Sequence, residues 1–152
     1  MARSSTLQPG LQRLAQQAFV LVLVAALTLS LGSLWLSKSF ALGGDFVVKT
    51  LALFICAAAW LGLYLPEHLP HGRFGPANLV TLGRLALSAL FGGMLGEESA
   101  AIAWPAVIIA TTVLLLDGVD GWLARRGGWS SAFGARFDME TDALLVLLMA
   151  VL

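Results

Sequence analysis

Five long apolar runs divide the chain, and polar residues or glycine and proline lie between them. A run of about 20 apolar residues is long enough to cross the hydrocarbon core of a bilayer as an α-helix. Backbone polar groups in lipid must be satisfied within the segment, which favours helices over irregular structure. The pattern therefore predicts an all-α fold, a polytopic transmembrane helix bundle with about five membrane helices. The predicted spans cover residues 18–36, 46–65, 78–95, 100–123 and 134–152.

The breaks between the runs divide the chain into four parts. Residues 1–17 are polar with leucines at helical spacing, which is typical of a short interfacial segment that leads into the first span. Residues 18–65 form a two-helix membrane extension, which either anchors the chain or shapes a lipid-access groove or a partner surface. Residues 66–77 are a linker rich in proline and glycine, and residues 78–152 contain the remaining three helices.

Composition agrees with a membrane location. The 152 residues are 59% hydrophobic and 12% charged, with a mean hydropathy of +0.87, which is outside the range of ordinary soluble domains. The formal net charge is zero, so nucleic acid is not an expected partner. Cys56 is a single cysteine, which cannot form an internal disulfide, and is interpreted as a small core or lipid-facing residue.

Basic residues are distributed unevenly between the two sides of the predicted bundle. Arginines occur before the first and third spans and between the fourth and fifth, whereas the opposite side has Lys38 and Lys49, then Glu97 and Glu98 without a basic residue. By the positive-inside rule, we expect an integral protein of the inner (cytoplasmic) membrane whose N-terminus and aspartate-rich segment are cytoplasmic. The arginines on that side are Arg3, Arg13, Arg73, Arg125, Arg126 and Arg136.

Four aspartates lie where the fourth apolar run ends and the fifth begins. At about 100° per residue, Asp117 and Asp120 share one face of their helix. Asp138 and Asp142, four residues apart, share one face of the next helix. If these two helices pair as an antiparallel hairpin, the two acidic faces meet. A carboxylate near hydrocarbon is costly without a partner, so these residues mark a candidate functional site.

A divalent cation is the partner that the spacing of the acids favours. Four carboxylates in a poorly solvated place repel one another, and a hard ion such as Mg²⁺ or Mn²⁺ prefers oxygen ligands of this kind. Four shared carboxylates can hold two such ions, an arrangement that clamps a phosphate. Gly121 and Ala124 leave the acidic face without bulk, and Arg125 beside it offers a fork for phosphate oxygens. These residues indicate phosphoryl-group chemistry at a membrane surface.

Polar residues also recur near the start of the third span, where Asn78, Thr81 and Arg84 are three residues apart. An unpaired arginine inside an apolar segment is costly, so Arg84 is expected to have an acidic or phosphate partner. The alternative interpretation is a polar cap of the helix combined with a structural ion pair.

The spacing of the aspartates and their neighbours resembles the signature of the CDP-alcohol phosphotransferase family, also called CDP-alcohol phosphatidyltransferases. All eight fixed positions of that signature are present. The third span is similar, more loosely, to the first core helix of the same family. The matching pattern is Asp117-x2-Asp120-Gly121-x2-Ala124-Arg125-x8-Gly134-x3-Asp138-x3-Asp142.

The resemblance implies an enzyme that transfers a phosphoalcohol group from a CDP-linked donor, such as CDP-diacylglycerol, to the hydroxyl group of an acceptor alcohol and releases CMP. It implies a role in phospholipid biosynthesis, two divalent ions (Mg²⁺ or Mn²⁺) as cofactors, and a six-helix core that usually forms a homodimer. The acceptor alcohol and the lipid part of the donor stay open. By the same resemblance, Asp142 is also the general base that takes the hydroxyl proton. The implied metal ligands are Asp117, Asp120, Asp138 and Asp142, and the implied CDP-binding residues are Gly121, Ala124, Arg125, Gly134, Asn78, Thr81 and Arg84.

The chain departs from this family in its number of helices. Residues 78–152 correspond to the first three helices of the family core, and two extra helices precede them. The last apolar run has no polar end at Leu152. We therefore expect a fragment of a longer enzyme, one that is inactive by itself and binds Mg²⁺ or Mn²⁺ weakly.

Two other functions fit parts of the pattern. A membrane prenyltransferase also holds a pyrophosphate with aspartates and Mg²⁺, which suits Asp138 and Asp142 but not the small residues after Asp120. A non-catalytic bundle, or an acid-lined ion pathway, is the other alternative. The remaining polar residues are interpreted without a catalytic role: His68 and His71 of the linker as solvated histidines, and Glu97 and Glu98 as favourable charges at a helix start.

Overall fold

A computed structural model describes residues 3–69, 72–97, 99–128 and 130–151 of the chain. Within these residues there are five α-helices and no strand, which confirms the predicted all-α bundle. His71 and Glu98 lie outside the described residues, and so do the interpretations made of them from the sequence. The helices are α1 (Arg3–Phe40), α2 (Phe46–Gly62), α3 (Pro76–Gly93), α4 (Ala103–Gly127) and α5 (Ala132–Val151), with 3₁₀ turns at Leu65–His68 and Ala100–Ile102.

The centre of the bundle is α3, which packs against each of the other four helices. In contrast, α4 and α5 pack mainly against α3 and have little direct contact with each other. The hairpin expected between the two aspartate-bearing helices is therefore wrong in its pairing. The two acidic faces meet all the same, because α4 and α5 both pack on α3 and bring their aspartates together beside it. Helical periodicity cannot reveal this non-local arrangement.

Local sequence signals explain where the site-forming helices begin and end. Pro76 is at the first position of α3, where a missing N–H costs nothing, and it follows Gly75, whose φ is +78°. Gly128 ends α4 in the left-handed conformation, with φ of +66°, and its N–H donates to the carbonyl oxygen of Ala124. Ser131 precedes α5, and its hydroxyl oxygen accepts the N–H of Gly134 at 3.0 Å. α4 therefore ends at Gly127 and α5 begins at Ala132, on either side of the predicted break.

The first helix is longer than the first predicted span. It begins at Arg3 and continues without a break to Phe40, so the polar lead-in and the span are one helix. Leu14, one of the regularly spaced leucines of the lead-in, is fully buried. The lead-in therefore packs onto the bundle along at least part of its length.

Two helical segments of the described chain are long and apolar enough to cross a membrane. They are Gly10–Phe40, which lies within α1, and Ala100–Gly127, which contains α4. α2 (Phe46–Gly62) is a shorter apolar helix. Many of their large hydrophobic side chains face outward, including Leu31, Trp104 and Leu115, which are 71%, 76% and 71% exposed. A water-soluble monomer does not expose apolar surface on this scale. These apolar helices with exposed apolar faces indicate a membrane protein.

The loops at one end of the bundle are joined by Glu97. Its carboxylate accepts the N–H of Gly43 at 2.8 Å and lies 4.0 Å from the ammonium group of Lys49. Glu97 thus joins two loops, and its interaction with the dipole of the following helix stays a prediction. Lys49 also donates to Asp45 at 3.0 Å, which lowers the pKa of Asp45, so this ion pair is lost only as the pH falls through that lowered pKa.

Candidate functional site

One buried arginine lies at the centre of the four aspartates. The side chain of Arg84 comes from α3 and is fully buried. Its Nη1 lies 2.5 Å from Oδ2 of Asp120 and 2.5 Å from Oδ1 of Asp138. Its Nη2 lies 2.8 Å from Oδ1 of Asp117 and also contacts Oδ1 of Asp142. The predicted acidic partner of Arg84 is thus a set of four carboxylates rather than one.

Helix spacing places each acidic pair against Arg84. Asp117 and Asp120 are one turn apart on α4, and Asp138 and Asp142 are one turn apart on α5. The four acids differ in exposure: Asp120 is 2% exposed, whereas the other three are partly open. Asp120 has further support, because the Thr81 hydroxyl lies 3.0 Å from its Oδ2 and the N–H of Gly121 donates to its Oδ1 at 2.7 Å.

The charges of this cluster do not balance. Four carboxylates surround a single guanidinium, which leaves three negative charges without a cation among the described residues. Oxygens of Asp117, Asp120 and Asp138 lie within 4.8 Å of one another. A hard divalent ion needs converging carboxylate oxygens and gains from uncompensated negative charge. The residues therefore fit a site for such an ion, and Asp142 lies at the edge of the same cluster.

A cavity of about 200 Å³ adjoins the aspartates. Asp120 and Asp138 form its acidic wall, and Arg125 supplies a cation on another side. Of the seven residues expected to bind CDP, only Arg84 is absent from the lining. The six that do line the cavity are Asn78, Thr81, Gly121, Ala124, Arg125 and Gly134. Four lining residues were not predicted from the sequence, namely Ala77, Ser130, Ser131 and Ala135.

Two glycines of the signature allow close approaches in this cavity. A Cβ atom on Gly134 would lie 3.1 Å from Oδ1 of Asn78, so the glycine lets α5 start close to the first turn of α3. A Cβ atom on Gly121 would lie 3.1 Å from Nη1 of Arg125. The guanidinium of Arg125 therefore lies against the bare backbone of Gly121, at the cavity wall.

A histidine outside the signature contacts a residue of the cavity wall. His68 is fully buried, so the interpretation of this residue as a solvated histidine is wrong. Its Nδ1 lies 2.7 Å from the Ser131 hydroxyl, and its Nε2 lies 2.7 Å from the carbonyl oxygen of Arg73. The ring also packs edge-on against Phe133. His68 thereby ties the chain before α3 to the start of α5. A histidine between prolines gives no local signal of such burial.

These features define a class of protein. It is a helical membrane bundle in which a cluster of carboxylates that suits a cation lies beside a small polar cavity. The sequence model described as CDP-alcohol phosphatidyltransferase matches residues 74–152, just over half of the chain. The chain belongs to the CDP-alcohol phosphatidyltransferase family, as its aspartate spacing indicated. The match includes α3, α4, α5 and all of the candidate metal and CDP-binding residues. No curated protein and no solved structure matches the chain.

Family membership sets the general chemistry. The family consists of transferases that move phosphoalcohol groups in lipid synthesis. It uses divalent metal ions, CDP-alcohol donors and alcohol acceptors.

Proposed function

We propose that the aspartate cluster and the adjoining cavity form the donor site of a CDP-alcohol phosphotransferase. In this reaction a phosphoalcohol group moves from a CDP-linked donor such as CDP-diacylglycerol to the hydroxyl of an acceptor alcohol, and CMP leaves. The supporting observation is the convergence of four carboxylates from two separate helices beside a cavity lined by small residues. That arrangement suits a nucleotide diphosphate with its cations better than any neutral ligand.

The proposed roles follow from position. Asp117, Asp120 and Asp138, with Asp142 beside them, would hold Mg²⁺ or Mn²⁺. When bound, the two ions would neutralise pyrophosphate oxygens and stabilise the leaving CMP. Arg125 would bind a phosphate of the donor, and the small residues around it would let the nucleotide lie close to the helices.

Asp142 is the proposed general base. It is partly open, with 45% of its side chain exposed, so an acceptor hydroxyl can approach its carboxylate. It would take the hydroxyl proton as the oxygen attacks the phosphorus, and the phosphodiester bond to the acceptor forms as the bond to CMP breaks. Arg84 holds one oxygen of Asp142 and fixes the orientation of the carboxylate.

We also propose a position in the membrane and a division of the chain. Residues 78–152 would form the first three core helices of the enzyme, and residues 1–77 an extension and linker in front of them. The distribution of basic residues supports a cytoplasmic site in the inner membrane. A homodimer follows from the family resemblance alone.

Replacing Asp142 tests the proposal. In membranes that contain the protein expressed from its complete reading frame, Asp142→Asn should reduce CMP release from CDP-diacylglycerol by about 10²- to 10⁴-fold, because an amide cannot accept the proton. Activity would be measured with Mg²⁺ and a panel of alcohol acceptors. Thermal unfolding in detergent should stay near that of the unaltered protein, because Arg84 keeps three other carboxylate partners.

Glu140 provides a matched control. It is exposed, lies on the same helix two residues away, and is not part of the cluster. Glu140→Gln should keep the rate of CMP release within about twofold. Unchanged release by Asp142→Asn would remove Asp142 as the base, and absence of release with every acceptor and both ions would contradict the proposed reaction.

A structural role is the second candidate, and the contacts of Arg84 favour it. One guanidinium already bonds all four aspartates, which is what a purely structural ion network would require. Mn²⁺ binding followed by electron paramagnetic resonance separates the two candidates. The proposed enzyme should bind Mn²⁺ at the cluster and lose it in Asp117→Asn, whereas a structural network predicts the same weak background binding in both proteins.

A further inference from the structure

A second cavity, of about 570 Å³, lies between α1 and the start of α3. Its polar side chains include Arg13 and Gln16 of α1 and Arg73 of the linker. Its apolar side chains include Val20, Leu21 and Leu79. It shares no lining residue with the cavity beside the aspartates, so the two are separate features. We call this second cavity the arginine groove.

Polar and apolar residues are separated along the arginine groove. Residues 13, 16, 17, 20 and 21 lie on one face of α1, because they are spaced by one or three positions. The first three of these are polar and the last two are apolar. They occupy the level where the polar start of α1 passes into its long apolar run. The groove is therefore charged at its outer end and apolar further into the span, which is the order of groups in a phospholipid.

The outer end of the groove carries positive charge without a matching acid. Arg13 and Arg73 are both exposed, and neither forms an ion pair with the described carboxylates. Gly75 also lines the groove, and the α3 helix that follows it begins without a side-chain cap. The positive end of the α3 dipole thus adds to the two guanidinium groups. Two arginines from separate elements can share one phosphate group.

We propose that the arginine groove binds an anionic phospholipid. Its phosphate lies between Arg13 and Arg73, and one acyl chain lies along Val20, Leu21 and Leu79. A free phosphate would use only the charged end and would have no group to match the apolar wall. Arg13 belongs to the extension outside the residues that match the family, so the groove is a site that the family core does not supply. The proposal does not depend on the phosphotransferase activity.

Lipid binding to the complete chain in detergent tests this proposal, and native mass spectrometry would measure it for dioleoylphosphatidylglycerol and dioleoylphosphatidylcholine. The unaltered protein should prefer the anionic lipid. Each of Arg13→Gln and Arg73→Gln should weaken phosphatidylglycerol binding by about fivefold, the effect typical of one basic residue at an anionic surface. The double variant should lose the preference while its phosphatidylcholine binding is unchanged.

Two further variants keep the result interpretable. Arg126→Gln removes an exposed arginine that stacks on Trp122, away from the groove, and should bind like the unaltered protein. Arg13→Lys with Arg73→Lys keeps the charge and should retain most of the preference, whatever happens to the stability of the glutamine variants. Equal binding of the two lipids by the unaltered protein would overturn the proposal. Persistence of the preference in the double glutamine variant, or displacement of phosphatidylglycerol by millimolar inorganic phosphate, would overturn it equally.

Discussion

Arg84 holds the acidic residues of the site in one place. Each of its two terminal nitrogens contacts one aspartate of α4 and one of α5. Lysine has one charged nitrogen and cannot span the same four oxygens, so a planar fork is required here. Because Asp120 is almost fully buried, the cluster depends on this single cation for its order.

Removal of that cation should destabilise the fold. Arg84→Met should reduce the free energy of unfolding by about 3–5 kcal/mol, the usual result of leaving a buried charge without its partner. Unfolding in mixed micelles, followed by tryptophan fluorescence, would measure the change, and Arg126→Met would serve as the exposed control. Adding Asp120→Asn to Arg84→Met should restore part of the loss. Equal stability of Arg84→Met and the unaltered protein would contradict a structural role for the guanidinium.

Many residues of the site could be predicted from the sequence because they lie within one or two helical turns of one another in the chain. Helical periodicity placed Asp117 with Asp120 and Asp138 with Asp142, and an arginine in an apolar run required an acidic partner. The sharing of Arg84 among all four acids could not be predicted, since it depends on α4 and α5 both packing against α3. The burial of His68 likewise results from packing against α5, far along the chain.

At the level of elements, α3 can be central because two glycines at its C-terminal end let other helices approach closely. Gly92 and Gly93 lie where α3 meets α2 and α5. A Cβ atom on Gly93 would lie 2.0 Å from the hydroxyl of Thr50, and one on Gly92 would lie 2.6 Å from a methyl of Leu53. The two glycines therefore set how closely α2 approaches the central helix. Their conformational freedom is not needed there, since both lie within a regular helix.

Gly93→Ala tests this packing against a control in the same helix. The added methyl group has no room, so the substitution should destabilise the protein by about 1–3 kcal/mol. Gly83→Ala is the control, because a Cβ atom there meets nothing within 4 Å. It should be neutral or stabilising by up to about 1 kcal/mol, as alanine favours a helix over glycine. Similar unfolding temperatures for the two variants would show that α2 and α3 are not in tight contact at Gly93.

Apart from the start of α1, helix positions were predictable to within a few residues, whereas helix pairing was not. Length and hydropathy placed all five helices, and Gly-Gly and Pro-Gly signals placed their ends. The hairpin of α4 and α5 was the wrong choice because both helices pair with α3. A short loop between two helices permits direct pairing but does not require it.

In the whole molecule, each end of the bundle has a contact between two of the segments that connect the helices. The α1–α2 and α3–α4 loops meet through Gly43 and Glu97, and the α2–α3 and α4–α5 connections meet through His68 and Ser131. This alternation is what consecutive spans of a membrane bundle require. The apolar surfaces that stay exposed on α1 and α4 are those that lipid or further helices would cover.

The contact between Glu97 and Gly43 should contribute measurably to stability. Glu97→Ala removes a charged acceptor from a backbone N–H and should reduce the free energy of unfolding by about 1.5–3 kcal/mol. Glu67→Ala, at an exposed glutamate in the 3₁₀ turn, is the control and should change it by less than about 0.5 kcal/mol. Chemical unfolding in detergent would measure both. A smaller loss in Glu97→Ala than in Glu67→Ala would exclude the proposed loop contact.

The dependence of both acidic pairs on α3 has a consequence for mutagenesis of this protein. Each pair is positioned by the packing of its own helix against α3, and the two helices have little contact with each other. Ala106 and Ala110 are buried on α4, about three and two turns before Asp117. Bulk added at either alanine would push α4 away from α3 and separate Asp117 and Asp120 from Arg84. Inactivity caused by so remote a change would report altered distance and not missing chemistry.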